Sequence, residues 1–201
     1  MCTGKCASCI GVSLYPLALL CIVANLFLFF PNLEVEYVQH TNQLTPEILY
    51  LGGIIGGGVL VLFPAIHIHA TGKRGCCANR CGMFLSILFA AMGVVGSGYC
   101  LITSAVGLVN GPTCQDATGN WTRPFSVNLE ELELNDDGYL FHPEVWDWCK
   151  TPNKVVVFNV VLFALLIFFS SIELVLCLAQ MINGLIGCIC GTCRKRRAGP
   201  V

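Results

Sequence analysis

Four apolar runs, Ile10–Phe30, Ile48–Ala70, Met83–Val109 and Val155–Gly187, leave this 201-residue chain few ways to fold. A helix needs about 20 apolar residues to cross the hydrocarbon core of a bilayer, and each run suffices. Lipid offers no partner to backbone N–H and C=O groups, so at these lengths the runs read as transmembrane helices. With 55% hydrophobic and 11% charged residues, a soluble core does not compete. The last run is longer than a crossing requires, so its helix is expected to tilt or to project beyond the bilayer. The first run is longer than an ordinary signal core and closes on Phe29-Phe30-Pro31 rather than on small residues, so it reads as a span.

Charge sorts the segments between the runs. The tail 1–9, the loop 71–82 and the tail 188–201 hold eight Lys or Arg and no acidic residue, whereas the loops 31–47 and 110–154 hold eleven Asp or Glu against three basic residues. Basic segments stay cytosolic during insertion, which puts both tails inside and the two acidic loops outside. The expected fold class is an all-α membrane protein, a four-transmembrane-helix bundle. Its spans are 10–30, 48–70, 83–109 and 155–187, joined by a short extracellular loop 31–47, a cytosolic loop 71–82 and a large extracellular loop 110–154.

This topology divides the fourteen cysteines. Cys114 and Cys149 are the two in the outer loops, where an oxidising compartment favours one disulfide clamping the large loop. Trp146 and Trp148 stand beside the second of them, placed to cover the bridge. Nine others (Cys2, Cys6, Cys9, Cys76, Cys77, Cys81, Cys188, Cys190 and Cys193) lie near span ends on the cytosolic side. Juxtamembrane cysteines there are candidates for S-acylation. Cys6-x2-Cys9 and Cys190-x2-Cys193 also have zinc-like spacing. Nothing in the sequence requires the two tails to meet, so acylation is the stronger reading, unmodified thiols are the bland one, and no metal is expected. Cys21, Cys100 and Cys177 lie within spans and read as small apolar packing groups.

Glu173 is the one charged residue inside a span, which makes it a functional candidate by default. It reads either as a proton or cation site or as a protonated interhelical hydrogen bond, and the second is preferred because no polar companions mark a pathway. Asn25 is the tempting partner. Counted at 1.5 Å per residue from the run midpoints, however, Asn25 lies towards the outside and Glu173 towards the inside, and Ser97 matches Glu173 better in depth. Gly52/Gly56 and Gly53/Gly57 have GxxxG spacing, and Gly93-x3-Ser97 repeats the theme, so these positions suit close helix contact. An internal bundle contact is preferred over a dimer face, which leaves a homo-oligomer as the alternative. His67 and His69 read as interfacial polar tips.

In the large loop, Asn120-Trp121-Thr122 is an N-glycosylation sequon on the outer side. Glu133, Asn135, Asp137, Gly138 and Glu144 nearly repeat a calcium loop. Glu at the first position and Pro143 at the exit count against it, and a solvated acidic loop is the preferred reading. Residues 142–146 open a short helix with Pro143 at its first position. The cluster Arg194-Lys195-Arg196-Arg197 fixes topology and attracts anionic lipid, so nucleic acid is not expected as a partner. No Ser/His/Asp arrangement, phosphate-binding glycine loop or pair of catalytic carboxylates is present, so neither an enzyme nor a cofactor is expected.

The motifs carry a specific resemblance. Met1-Cys2-Thr3-Gly4-Lys5-Cys6-Ala7 leads into a span carrying Ala24-Asn25 and closing on Phe30-Pro31-Asn32. Gly96-Ser97-Gly98-Tyr99-Cys100, Asn110-Gly111-Pro112-x-Cys114 and Ile182-Asn183-Gly184-Leu185 follow, before Cys190-Gly191-x-Cys193. Over essentially its whole length the chain resembles the transmembrane 4 L-six family, which is tetraspanin-like in topology. It lacks the Cys-Cys-Gly of true tetraspanins in the large loop and the cysteine-bearing first loop of claudins. Asn159-Val160-Val161 departs from a family sequon at the start of the fourth span, which leaves Asn120 as the glycosylation candidate. The resemblance implies a plasma-membrane scaffold, acylated on cytosolic cysteines, that associates with integrins, tetraspanins or growth-factor receptors and influences adhesion, migration and proliferation. A pore or barrier-forming four-span subunit is the competing reading, and a membrane enzyme comes third.

Overall fold

In lipid a helix is held to its neighbours by fit and by polar contacts rather than by water's exclusion, and in this molecule the second span is irregular. The computed structural model describes residues 3–31, 44–72, 80–126, 139–152 and 154–190. Helix α1 spans Thr3–Leu28, with Pro16 inside it. The second span is composite. A single turn, α2 (Pro46–Leu49), ends at Leu51, whose φ of 52° is a left-handed conformation uncommon for leucine. A wide π-helical stretch follows over Gly52–Val59, and α3 (Leu60–Gly72) completes the crossing. Five glycines within 52–58 explain the irregularity: glycine is a poor helix former, and without Cβ atoms the backbone can be approached from several sides. The third span is α4 (Arg80–Asn110) and the fourth is α5 (Val155–Cys190), 36 residues long or about 54 Å.

Consecutive spans run in opposite directions, and α1 packs on α3 and α5 while α4 packs on the same two, closing a ring of four helices. One end of the ring carries Leu28, Pro46, Asn110 and Val155 and is called the capped end here. The other carries Thr3, Gly72, Arg80 and Cys190 and is called the tail end. At the tail end the helices continue past the apolar runs, so Cys6, Cys9, Cys81 and Cys188 all sit on helix.

Burial is inverted relative to a water-soluble bundle. Large apolar side chains such as Phe63, Val95, Ile102 and Val175 face outward and are more than half exposed, as a lipid-facing surface requires. Small and polar side chains point inward. The tail-half core is built on Ala7, Ala18, Ala65 and Ala90 with Leu14, Ile68 and Met83, and the capped-half core on Cys21, Ala24, Cys100, Phe163 and Leu166. Beyond the capped end a third cluster gathers Cys114, Phe125, Tyr139, Val155 and Val156.

Candidate functional site

The loop between α4 and α5 is drawn onto the bundle by links between segments far apart in sequence. Cys114 and Cys149 are joined by a disulfide, with Cα atoms 5.4 Å apart. Cys114–Gln115 (β1) pairs antiparallel with Trp121–Thr122 (β2), with Cys114 opposite Thr122 and Gln115 opposite Trp121. Gln115 also exchanges backbone bonds with the far end of the loop, donating to Thr151 C=O at 2.9 Å and accepting from Lys150 N–H at 3.0 Å. Short 3-10 turns over Tyr139–Phe141 and Pro143–Trp148 complete the cap, with Pro143 opening the second. Trp146 packs into the cluster that includes both bridged cysteines and donates its indole N–H to Tyr139 C=O at 2.7 Å; Trp148 is 60% exposed, stacked loosely on Phe125. The Tyr139 hydroxyl donates to Leu108 C=O, and burial pushes its pKa up to about 12.

The short first loop is stapled to the same cap. Glu47, nearly buried in α2, accepts from Arg123 Nη2 at 2.8 and 3.0 Å and from Asn110 Nδ2 at 2.9 Å. Thr113 N–H donates to Thr45 Oγ1 at 3.3 Å, and its hydroxyl reaches Leu44 C=O at 3.4 Å. Between these contacts lies an open groove of about 440 Å³, with Leu44, Pro46 and Leu49 on one side and Thr113 and residues 121–123 on the other. The hairpin tip is set by Asp116, whose carboxylate accepts from Thr118 N–H at 2.8 Å, the Thr118 hydroxyl at 2.6 Å and Asn120 N–H at 3.1 Å. The Thr118 hydroxyl first, and the Asn120 N–H second, hold the Asp116 carboxyl below its ordinary value. Asn120 itself is exposed at this tip, its side-chain amide donating to Thr118 Oγ1 at 3.2 Å.

The model of the L6 membrane protein family matches residues 1–194. The chain belongs to the L6 membrane protein family. It is 45% identical to the human Transmembrane 4 L6 family member 5, each chain being covered in full. It is 44% identical to the human family member 1 over 96% of both chains, and 43% identical to the mouse family member 4 over 96% of this chain and 95% of that one. No solved structure matches it.

Within this L6 chain the intramembrane polar residues are paired differently from the sequence-based expectation. Glu173 is fully buried on α5, but Ser97 is not its partner. The Ser97 hydroxyl turns back to Gly93 C=O at 2.7 Å on its own helix, and Glu173 Oε1 meets the Cys21 thiol of α1 at 3.9 Å instead; Oε2 has no hydrogen-bond partner. Matching depth does not by itself make Ser97 a partner, because serine in a helix readily satisfies itself on the preceding turn. Asn25 is used elsewhere: its Oδ1 accepts the Ile54 N–H of the second span at 3.2 Å. A link unread in the sequence joins α4 to α5 in the tail half, where Gln180 Nε2 donates to Ser86 Oγ at 3.1 Å and Asn183 donates to Gln180 at 3.2 Å.

The glycines lie at contacts inside the ring. A Cβ on Gly56 would stand 2.6 Å from Gly96 C=O, and one on Gly53 2.6 Å from Asn25 Cβ. One on Gly57 would stand 3.0 Å from Cys21 Sγ and 3.2 Å from Cys100 Sγ, while Gly52 abuts Thr103 and Gly93 abuts Cys177. His67 stacks on Phe89, and His69 Nδ1 lies 3.4 Å from the Tyr15 hydroxyl. At the tail end Cys6, Cys9 and Cys81 are exposed free thiols and Cys188 is half-buried. Cys2, Cys76, Cys77, Cys193 and the side chain of Cys190 lie outside the described residues, as do the acidic positions 133–138 and the basic cluster 194–197.

Proposed function

We propose that this chain is a non-catalytic scaffold of the plasma membrane that organises other membrane proteins in tetraspanin-like microdomains, with both termini cytosolic. The observation that carries the reading is the division of labour between the two ends of one bundle. The capped end is a loop fixed by a disulfide and by an ion pair to a neighbouring span, which suits a recognition surface of constant shape. The tail end presents exposed cysteines on helix ends close to the apolar runs. Acyl chains there, on Cys6, Cys9, Cys81 and the other cysteines of the tails and short loop, would each add membrane affinity of about 0.8 kcal/mol per buried CH₂ and bias the protein towards ordered lipid.

The charge asymmetry supports cytosolic tails, and the exposed sequon at Asn120 suits a glycan pointing away from the membrane. Integrins, tetraspanins and growth-factor receptors are the partner classes that family membership brings forward. The test is mass spectrometry of complexes drawn from cells in mild detergent, comparing the native chain with a variant lacking all nine tail-side cysteines. Receptors retained by the first and lost by the second, at equal surface level, are the expected result. Recovery of the bait alone from both would remove the scaffold reading.

A further inference from the structure

The break in the second span is closed by side chains from two other helices. In a continuous α-helix running from Pro46, the Ile54 N–H would bond the Tyr50 C=O, four residues back. Here the left-handed Leu51 separates them. The freed donor, Ile54 N–H, is taken by Asn25 Oδ1 of α1 at 3.2 Å, and the freed acceptor, Tyr50 C=O, receives the Tyr99 hydroxyl of α4 at 2.8 Å. Two side chains on opposite neighbours thus replace the two halves of one missing backbone bond. Unsatisfied backbone groups are costly in hydrocarbon, so a span can hold two forms only if both satisfy these groups. For this donor and this acceptor the condition is met, because the two groups held apart by Asn25 and Tyr99 are each other's partners in the continuous form.

We propose that the second span is a two-state element, held broken by the Asn25–Tyr99 splint and able to close into a continuous α-helix in which Ile54 bonds Tyr50. The glycine-rich stretch 52–58 makes the exchange accessible, since residues without Cβ atoms change backbone conformation with little steric hindrance. The switch is tied to the loop. Restoring right-handed backbone at Leu51 rotates the turn that carries Glu47, drawing its carboxylate away from Arg123 and Asn110. The closed cap and the continuous span are therefore mutually exclusive, and whatever loosens the Glu47–Arg123 pair favours the continuous form. Packed cores convert small shifts into such discrete alternatives.

Gly53-Ile54 is the sole Gly-Ile pair in the sequence, so carbonyl-¹³C glycine with amide-¹⁵N isoleucine isolates the Ile54 amide by NMR of the full chain in lipid nanodiscs. In Asn25→Ala the donor loses its partner, and its exchange with water should quicken about tenfold, the loss of one hydrogen bond. Adding Tyr99→Phe frees the acceptor as well, and in the double variant the Ile54 amide should move to a new position and regain protection. A double variant that exchanges as fast as Asn25→Ala alone overturns the proposal. If either variant fails to fold, Arg123→Gln decides, because it leaves the splint intact. A second Ile54 resonance at the α-helical position is the expected result there, and a single unshifted resonance overturns the two-state reading.

Discussion

The two ends of this bundle are built on opposite principles. At the capped end, contacts are few, directional and made between residues distant in sequence: Cys114 with Cys149, Arg123 with Glu47, Thr113 with Thr45. At the tail end the helices approach through missing side chains. A Cβ on Gly11 would meet the His69 backbone nitrogen at 2.6 Å, and alanines recur on the inner faces of α1, α3 and α4. Water reaches the first region and competes for its polar groups, so strong covalent and ionic links are needed there. Lipid surrounds the second, where no solvent drives association, so close fit and the Gln180–Ser86 link hold the helices. The loop depends chiefly on its links and the packed helices chiefly on close fit.

The sharpest way to break the contrast is to cut the disulfide. Replacing both Cys114 and Cys149 by serine should cost the folded loop about 3–4 kcal/mol on the chain-entropy model for this loop length, while the spans stay assembled. Loss of a loop-specific antibody epitope at unchanged helical circular dichroism would show it, and an unchanged loop would show that the polar staples suffice alone. Next in size is Gly11→Ala, which pushes a methyl into backbone that cannot turn aside. Destabilisation of about 2 kcal/mol is expected from overpacking, read as a lower melting temperature in detergent. Gly98→Ala is its control, since nothing lies within 4 Å of a Cβ there, and that variant should melt within a degree or two of the native protein or slightly above it. Equal effects from the two would dissolve the claim that fit governs the tail half.

The smallest effect belongs to the hairpin tip. The Asp116 carboxyl sits below its ordinary value of 3.8, so its contribution is complete above that pH and fades as pH falls through the lowered folded value. Asp116→Asn should therefore quicken amide exchange at Asn120 near neutral pH and remove the acid dependence. Exchange that still varies with acid in the variant would assign that dependence to another group.

Much of this architecture is legible in the sequence because it rests on length and compartment. Apolar runs reveal spans, and two cysteines on one side of the membrane point to each other. The pairing of polar residues inside the spans is not legible, because it depends on which way each side chain faces and, in the second span, on irregular backbone. Counting 1.5 Å per residue gives depth but not which way a side chain faces: Ser97 bonds its own helix, Glu173 meets Cys21, and the break at Leu51 brings Ile54 N–H to Asn25. The run of five glycines was a visible warning of that break, but its spacing reads equally well as close packing. The Glu47–Arg123 pair was hidden for a different reason. Charges in loops predict side of membrane, and only the folded cap shows which of them leave water.

Helix α5 carries an outward apolar face from Val157 to Ile189, both well exposed, a stretch of about 48 Å along its axis. A hydrocarbon core is nearer 30 Å thick, and mismatch costs fractions of a kcal/mol for each ångström. Tilting absorbs part of the excess, but α5 is held in a ring whose other helices constrain its angle. A thin bilayer around this protein must swell or leave apolar surface wet, whereas a thick, sterol-rich one needs less distortion. The height of one helix thus gives the molecule a better match to a thick bilayer than to a thin one.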